Sequence, residues 1–195
     1  MPSKRLCVFC GSSKGVRASY AHAARDFGER LVAHGYGLVY GGGNIGLMGE
    51  IADAVLAAGG EVVGVIPSSL VAREVGHRGL SELVVVRTMH ERKAKMAELS
   101  SAFVALPGGF GTFDEFCEVV TWAQLGIHDK ACALLDVDGY FDPLLALFDH
   151  AVDQGFIRRD FRALVVSERD PERLLRRIDE WQPVPNERWA DRTEA

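Results

Sequence analysis

What this sequence lacks removes several classes of function before any motif is read. No apolar run approaches the ~18–20 residues of a membrane-spanning helix. No signal-peptide pattern opens at Met1-Pro2-Ser3-Lys4-Arg5, so cytoplasm is the expected compartment, without a membrane partner. Long basic runs are also missing and the net charge is −5, which argues against a nucleic-acid-coating protein. A small phosphorylated ligand stays open, because a few local donors outweigh a global charge. No G-K-[ST] follows any glycine cluster, which speaks against an ATP- or GTP-hydrolysing machine. His22, His34, His128 and His150 have no metal-ligand spacing, and no metal is expected. Cysteine is scarce: Cys7, Cys10, Cys117 and Cys132. The C-x-x-C pair Cys7/Cys10 falls in a strand-like run, where residues three apart face opposite sides, so it is a poor zinc or redox site. All four read as reduced and mostly core residues.

What is present alternates between strand and helix signals. Strands are expected at Arg5–Cys10, Leu38–Tyr40, Val62–Ile66, Leu83–Val86, Ala102–Leu106, Ala131–Val137 and Ala163–Val166. Helical spacing runs from Ser19 to the stop at Gly35, over Leu47–Ala58, from Thr88 with a Thr-x-x-Glu capping box to Glu91, and over Phe113–Leu125, Phe141–Val152 and Glu172–Trp181. Short strands, apolar on both faces and separated by helices, indicate a parallel sheet covered on both sides. The expected fold is therefore a single-domain, Rossmann-like, doubly wound α/β sheet. Residues 1–182 form its body, and 183–195 are a Pro- and charge-rich surface tail in which Trp189 suggests some docking.

In such a sheet ligands bind beyond the carboxyl ends of the strands. Three glycine loops fall there: Gly11–Gly15, with Ser12; Gly41–Gly46, with Gly42 and Gly43; and Gly108–Gly111. The second formally matches G-x-G-x-x-G. However, it follows the second strand, and Ile66-Pro67 stands where the ribose-binding acid of a dinucleotide fold belongs, so nucleotide proximity without NAD is preferred. The stretch Phe103–Glu115 (F-V-A-L-P-G-G-F-G-T-F-D-E) reads as a strand, a tight turn and a helix start. Such a turn can cradle an anion on backbone N–H groups. Glu115 has a plain structural reading, as the acid of a Thr112–Glu115 capping box, and a chemical one, as a carboxylate beside a phosphate site. On the helix from Thr88, Arg92 and Lys93 share the inward face with Met89, Met96 and Ser100. Unpaired buried cations are costly, so they either snorkel or pair with an acid such as Glu74, or they meet an anionic ligand or act at a catalytic site. Thr121 and Trp122 could line a pocket wall or a subunit contact. Asp136 and Asp138 end the sixth strand, where Asp138-Gly139 reads as a turn.

Pro107–Glu115 matches the P-G-G-x-G-T-x-x-E signature of the Lonely Guy family, the cytokinin riboside 5′-monophosphate phosphoribohydrolases. Gly41–Gly49 (G-G-G-N-I-G-L-M-G), Met89–Lys93 (M-H-E-R-K) and Thr121–Lys130 (T-W-A-Q-L-G-I-H-D-K) also resemble the family pattern, in order. The resemblance spans roughly Arg5 to Trp181. It implies cleavage of the N-glycosidic bond of an adenosine-type 5′-monophosphate, giving free base and ribose 5-phosphate without a cofactor. It further implies Arg92 and Glu115 as the catalytic pair. The glycine turn, Gly108, Gly109, Phe110, Gly111 and Thr112, would hold the phosphate, and Glu74, Lys93 and Thr121 would contact substrate. At least a homodimer, with active sites near the interface, is implied as well. Some members have carried a lysine decarboxylase label, but no lysine here shows a recognisable pyridoxal phosphate context. The competing reading is a non-catalytic nucleotide- or cofactor-binding carrier on the same fold, which has no need to pair Arg92 with Glu115.

Overall fold

Residues 4–71, 77 and 79–184 are described by the computed structural model. Among the described residues, seven strands, β1 (Arg5–Phe9), β2 (Gly37–Tyr40), β3 (Val62–Pro67), β4 (Glu82–Val86), β5 (Ala102–Ala105), β6 (Cys132–Leu135) and β7 (Val165–Glu168), alternate with seven helices. The helices are α1 (Ala18–Ala33), α2 (Gly46–Ala57), α3 (Ser68–Val71), α4 (Met89–Glu98), α5 (Phe110–Gln124), α6 (Asp142–Asp153) and α7 (Pro171–Asp179). All strands join one sheet in the order β4-β3-β2-β1-β5-β6-β7, and every neighbouring pair is parallel. This is the expected doubly wound Rossmann-like α/β fold.

The period-two alternation of the strands explains its two cores. In β1, Leu6 and Val8 join the cluster under α1, α2 and α7, whereas Cys7 and Phe9 join the one under α4 and α5. Cys7 and Cys10 accordingly lie in opposite clusters, and all four cysteines are free. Several boundaries differ from expectation: β6 ends at Leu135, and Val137, expected to end that strand, opens a 3-10 turn. Ala163 and Leu164 belong to a 3-10 turn, Phe161–Leu164, so β7 starts only at Val165. In addition, α5 begins at Phe110 rather than Phe113, with consequences for the site. Arg73, Glu74 and Trp189 lie outside the described residues. Of the tail, Val184 packs against the cluster under α5.

The chain winds outward from β1 to β4, then returns to place β5 beside β1. The carboxyl ends of β1 and β5 therefore form the switch-point crevice where open α/β sheets take ligands. Backbone bonds lock the loops around it. Gly11 N donates to Pro107 O at 3.0 Å, and Leu47 N donates to Gly11 O at 2.9 Å. The Tyr140 hydroxyl donates to the Gly108 carbonyl. Gly46 holds this junction together: it has φ +64°, and a Cβ there would overlap the Ser12 backbone. Gly46→Ala is expected to cost about 3 kcal/mol, from left-handed strain plus overpacking. Urea unfolding checks this, and an unchanged midpoint would contradict the locked junction.

Candidate active site

Helix α5 opens directly at the crevice. Gly109, extended at φ −103° and ψ −153°, is its N-cap and supplies no side-chain cap. The first N–H groups of a helix have no partner within it, and here they face the crevice together with the positive end of the helix dipole. A Cβ at Gly109 or Gly111 would meet nothing within 4 Å, so ligand can approach that backbone. Phe110 between them is 93% exposed. Because the helix starts at Phe110, Thr112 and Glu115 lie inside it and do not form the expected capping box. Thr112 is instead buried against Gly108, where a Cβ would overlap its hydroxyl. At Thr88 the cap holds: its Oγ1 accepts from Glu91 N at 3.1 Å. The Glu91 carboxylate reaches back to Arg87 N, 2.8 Å away and one residue before the cap.

The cleft has a volume of about 250 Å³. The tips of β1, Gly41, α4 and the start of α5 form its walls. Arg92 and Glu115 are 8% and 9% exposed, with Arg92 Nη2 3.7 Å from Glu115 Oε1. Arg92 Nη1 approaches Met89 Sδ at 3.8 Å, and Nε is buried without a hydrogen-bond partner among the described residues. A buried cation in the first turns of α4 is also opposed by the helix dipole. It therefore carries an uncompensated cost that an anionic ligand would relieve. Gly41 makes the placement sterically possible, because a Cβ there would overlap Nη2. Burial pushes the Glu115 carboxyl up to about 7. Arg92 and Lys93 oppose that rise, while Asp114 and Glu118 reinforce it.

The remaining sequence candidates separate by position. Ser12, Gly109, Phe110, Gly111 and Thr112 line the cleft with the Arg92–Glu115 pair. Gly11 and Gly108 border an adjoining lobe of about 300 Å³ with Tyr20, Leu47 and Tyr140, which shares Ser12 and Gly109 with the cleft. Gly42 and Gly43 are buried, and Gly42, at φ +80°, packs towards Ile66 and Leu83. Lys93 is not among the described residues that line the cleft; its Nζ lies 3.1 Å from both Asp114 Oδ2 and Glu118 Oε2. Thr121 is exposed and donates to Cys117 O at 2.7 Å. Asp136 is buried and structural, accepting from Phe141 N at 2.7 Å and Arg169 Nε at 3.0 Å, while Asp138 takes a left-handed turn conformation at φ 54°. Sequence reasoning placed the Gly41–Gly46 loop near the ligand but missed Met48, Cys10 and Asp114 as cleft residues. Gly41 and Met48 belong to the G-G-G-N-I-G-L-M-G run, but only the sheet order brings that run opposite α4.

Comparison with known proteins places this geometry among relatives. A family model described as possible lysine decarboxylase matches residues 48–178. The cytokinin riboside 5′-monophosphate phosphoribohydrolase of Oryza sativa subsp. japonica is 51% identical over 180 residues, covering 92% of this chain and 74% of that protein. An Arabidopsis thaliana protein of the same name is 50% identical over 180 residues, covering 92% and 84%. Among solved structures, the molybdenum cofactor carrier protein of Chlamydomonas reinhardtii superposes with a TM-score of 0.69 at 21% identity, covering 91% of this chain and 97% of that one. The molybdenum cofactor binding protein of Rippkaea orientalis gives 0.69 at 20%, covering 91% and 96%. At such identities these two likenesses establish the fold alone.

The burial of Glu115 has a measurable sign. Its folded value of about 7 exceeds the ordinary 4.5, so the protonated carboxyl contributes stability fully below about pH 4.5. That contribution is lost as pH rises through about 7. Glu115→Gln is therefore expected to raise Tm by ~3 °C at pH 8 and by little near pH 5. Thermal unfolding at the two pH values checks this, and an equal difference at both would contradict it.

Proposed function

The chain belongs to the Lonely Guy family of cytokinin riboside 5′-monophosphate phosphoribohydrolases, and on that footing we propose that it hydrolyses the N-glycosidic bond of N6-prenylated AMP and of AMP. The products are the free base and ribose 5-phosphate. The observation that carries this reading is the pairing of a buried Arg92, incompletely bonded among the described residues, with Glu115 at the mouth of a helix N-terminus without a side-chain cap.

In the proposed mechanism the 5′-phosphate sits on the N–H groups at Gly109 to Thr112, which fixes the sugar in the cleft. Breaking the ribose–base bond develops positive charge at the anomeric carbon, as in glycoside hydrolysis. The Glu115 carboxylate stabilises that charge and delivers the incoming oxygen, directly or through water. Its value near 7 suits proton transfer at neutral pH. The Arg92 guanidinium orients the nucleotide and stabilises negative charge on the ester or the departing base. The decarboxylase wording of the family model finds no matching lysine beside the cleft. Lys93 is held between two carboxylates that favour its charged form, and Lys14 is paired with Glu50.

On the same reading residues 1–182 form the catalytic domain, 183–195 a surface tail, and the enzyme works in the cytoplasm as a homodimer. Among the described residues no helix is long and apolar enough to cross a membrane. Exposed Leu125, Ile127 and Leu147 leave apolar surface that a second copy could cover.

The test is incubation with AMP and isopentenyl-AMP followed by chromatography. Release of adenine or isopentenyladenine with ribose 5-phosphate is expected from the wild type. Glu115→Gln should bind nucleotide yet lose at least ~100-fold in kcat. Intact nucleotide after long incubation with folded protein would favour the carrier reading and overturn the hydrolase.

A further inference from the structure

Lys93 is the cation next to Arg92 that the mechanism leaves without a part, and its surroundings assign it one. Its side chain is only 11% exposed, yet it reaches across from α4 to two carboxylates on α5, Asp114 and Glu118, each 3.1 Å from Nζ. These acids stand one residue before and three residues after Glu115, so a single ammonium brackets the candidate catalytic carboxylate. Arg92 holds the same two helices together one position earlier, at 3.7 Å. We propose that Lys93 is a positioning residue: its ammonium clamps α5 to α4 at the level of Glu115 and neutralises the two acids flanking that carboxylate. This rests on the proposed hydrolase reading for its catalytic consequence, but not for the clamp.

Among the described residues, the groups facing Glu115 come from three elements. Arg92 and Lys93 come from α4, Asp114 and Glu118 from α5, and the buried thiols of Cys7 and Cys10 from β1. Removing Lys93 leaves the Asp114 and Glu118 carboxylates beside Glu115 with Arg92 as the cation offsetting them among the described residues. Like charges disfavour ionisation, so the Glu115 carboxyl would titrate at higher pH. A role as a substrate contact predicts something different: weaker nucleotide binding with an unmoved titration.

The experiment compares wild type with Lys93→Met, Lys93→Arg and the double variant Lys93→Met/Glu118→Gln. Glu115 is followed without substrate by 13C NMR of glutamate-labelled protein, its resonance assigned with Glu115→Gln. The AMP rate–pH profile is measured in parallel. For Lys93→Met the clamp predicts a Glu115 titration raised by ~1 pH unit. The Glu115-dependent limb of kcat should move up with it, and kcat should fall ~10-fold at pH 7. Lys93→Arg should restore both, and the double variant should bring the titration partway back. A Glu115 titration that stays put or falls in Lys93→Met overturns the proposal. So does a raised KM for AMP with kcat and titration unchanged, which would make Lys93 a substrate contact. If the wild type cleaves no nucleotide, the hydrolase reading fails while the NMR titration still decides the clamp.

Discussion

Arg92 buried beside Glu115 is the constraint around which this end of the molecule is built. Two opposite charges taken out of water gain little net stability from each other, because desolvation offsets the attraction. A separation of 3.7 Å and a buried Nε without a hydrogen-bond partner among the described residues leave the pair further from compensation. A chain folded only for stability would gain from apolar side chains at both positions. Keeping the charges instead requires Gly41 without a Cβ, a short α4 lying over the strand tips, and an α5 that starts early enough to turn Glu115 inward. The glycine turn sets the last of these conditions.

The same scaffold serves molybdenum cofactor carriers, whose structures superpose on it at about one-fifth identity. Strand order and the switch-point crevice are thus properties of the architecture, and activity resides in what the loops and helix ends place there. Around this crevice the backbone provides an anion cradle that either class of protein could use. On the proposed reading the cradle binds and the two buried side chains beyond it add the chemistry; the relatives that share half of this sequence are named as phosphoribohydrolases.

Much of the fold was legible in the sequence, because parallel strands buried on both faces and separated by amphipathic helices leave few alternatives. Strands apolar on both faces pointed to a sheet covered on both sides, and the glycine loops at the strand ends pointed to the crevice. Boundaries were less legible where local and tertiary preferences compete. Thr112-x-x-Glu115 is a sound capping box by local chemistry, yet Gly109 takes the cap and draws Phe110 and Gly111 into the helix. Arg92 could be read as inward-facing from helical spacing, and the Gly41 loop as close to the ligand, but Met48 and Asp114 could not be read as cleft residues, since their proximity depends on β2 and β5 flanking β1. Lys93 shows the limit most clearly. Spacing put it beside Arg92, and only the packing of α4 on α5 separates the two roles.

The central claim is that Arg92 and Glu115 act as one unit on a nucleotide anchored by the glycine turn. Kcat/KM for AMP in Arg92→Gln, Glu115→Gln and the double variant tests it most directly. Residues that work together are non-additive, so the double variant should be no more impaired than the worse single one. Losses that multiply would mean that the two side chains contribute independently, and would contradict the account.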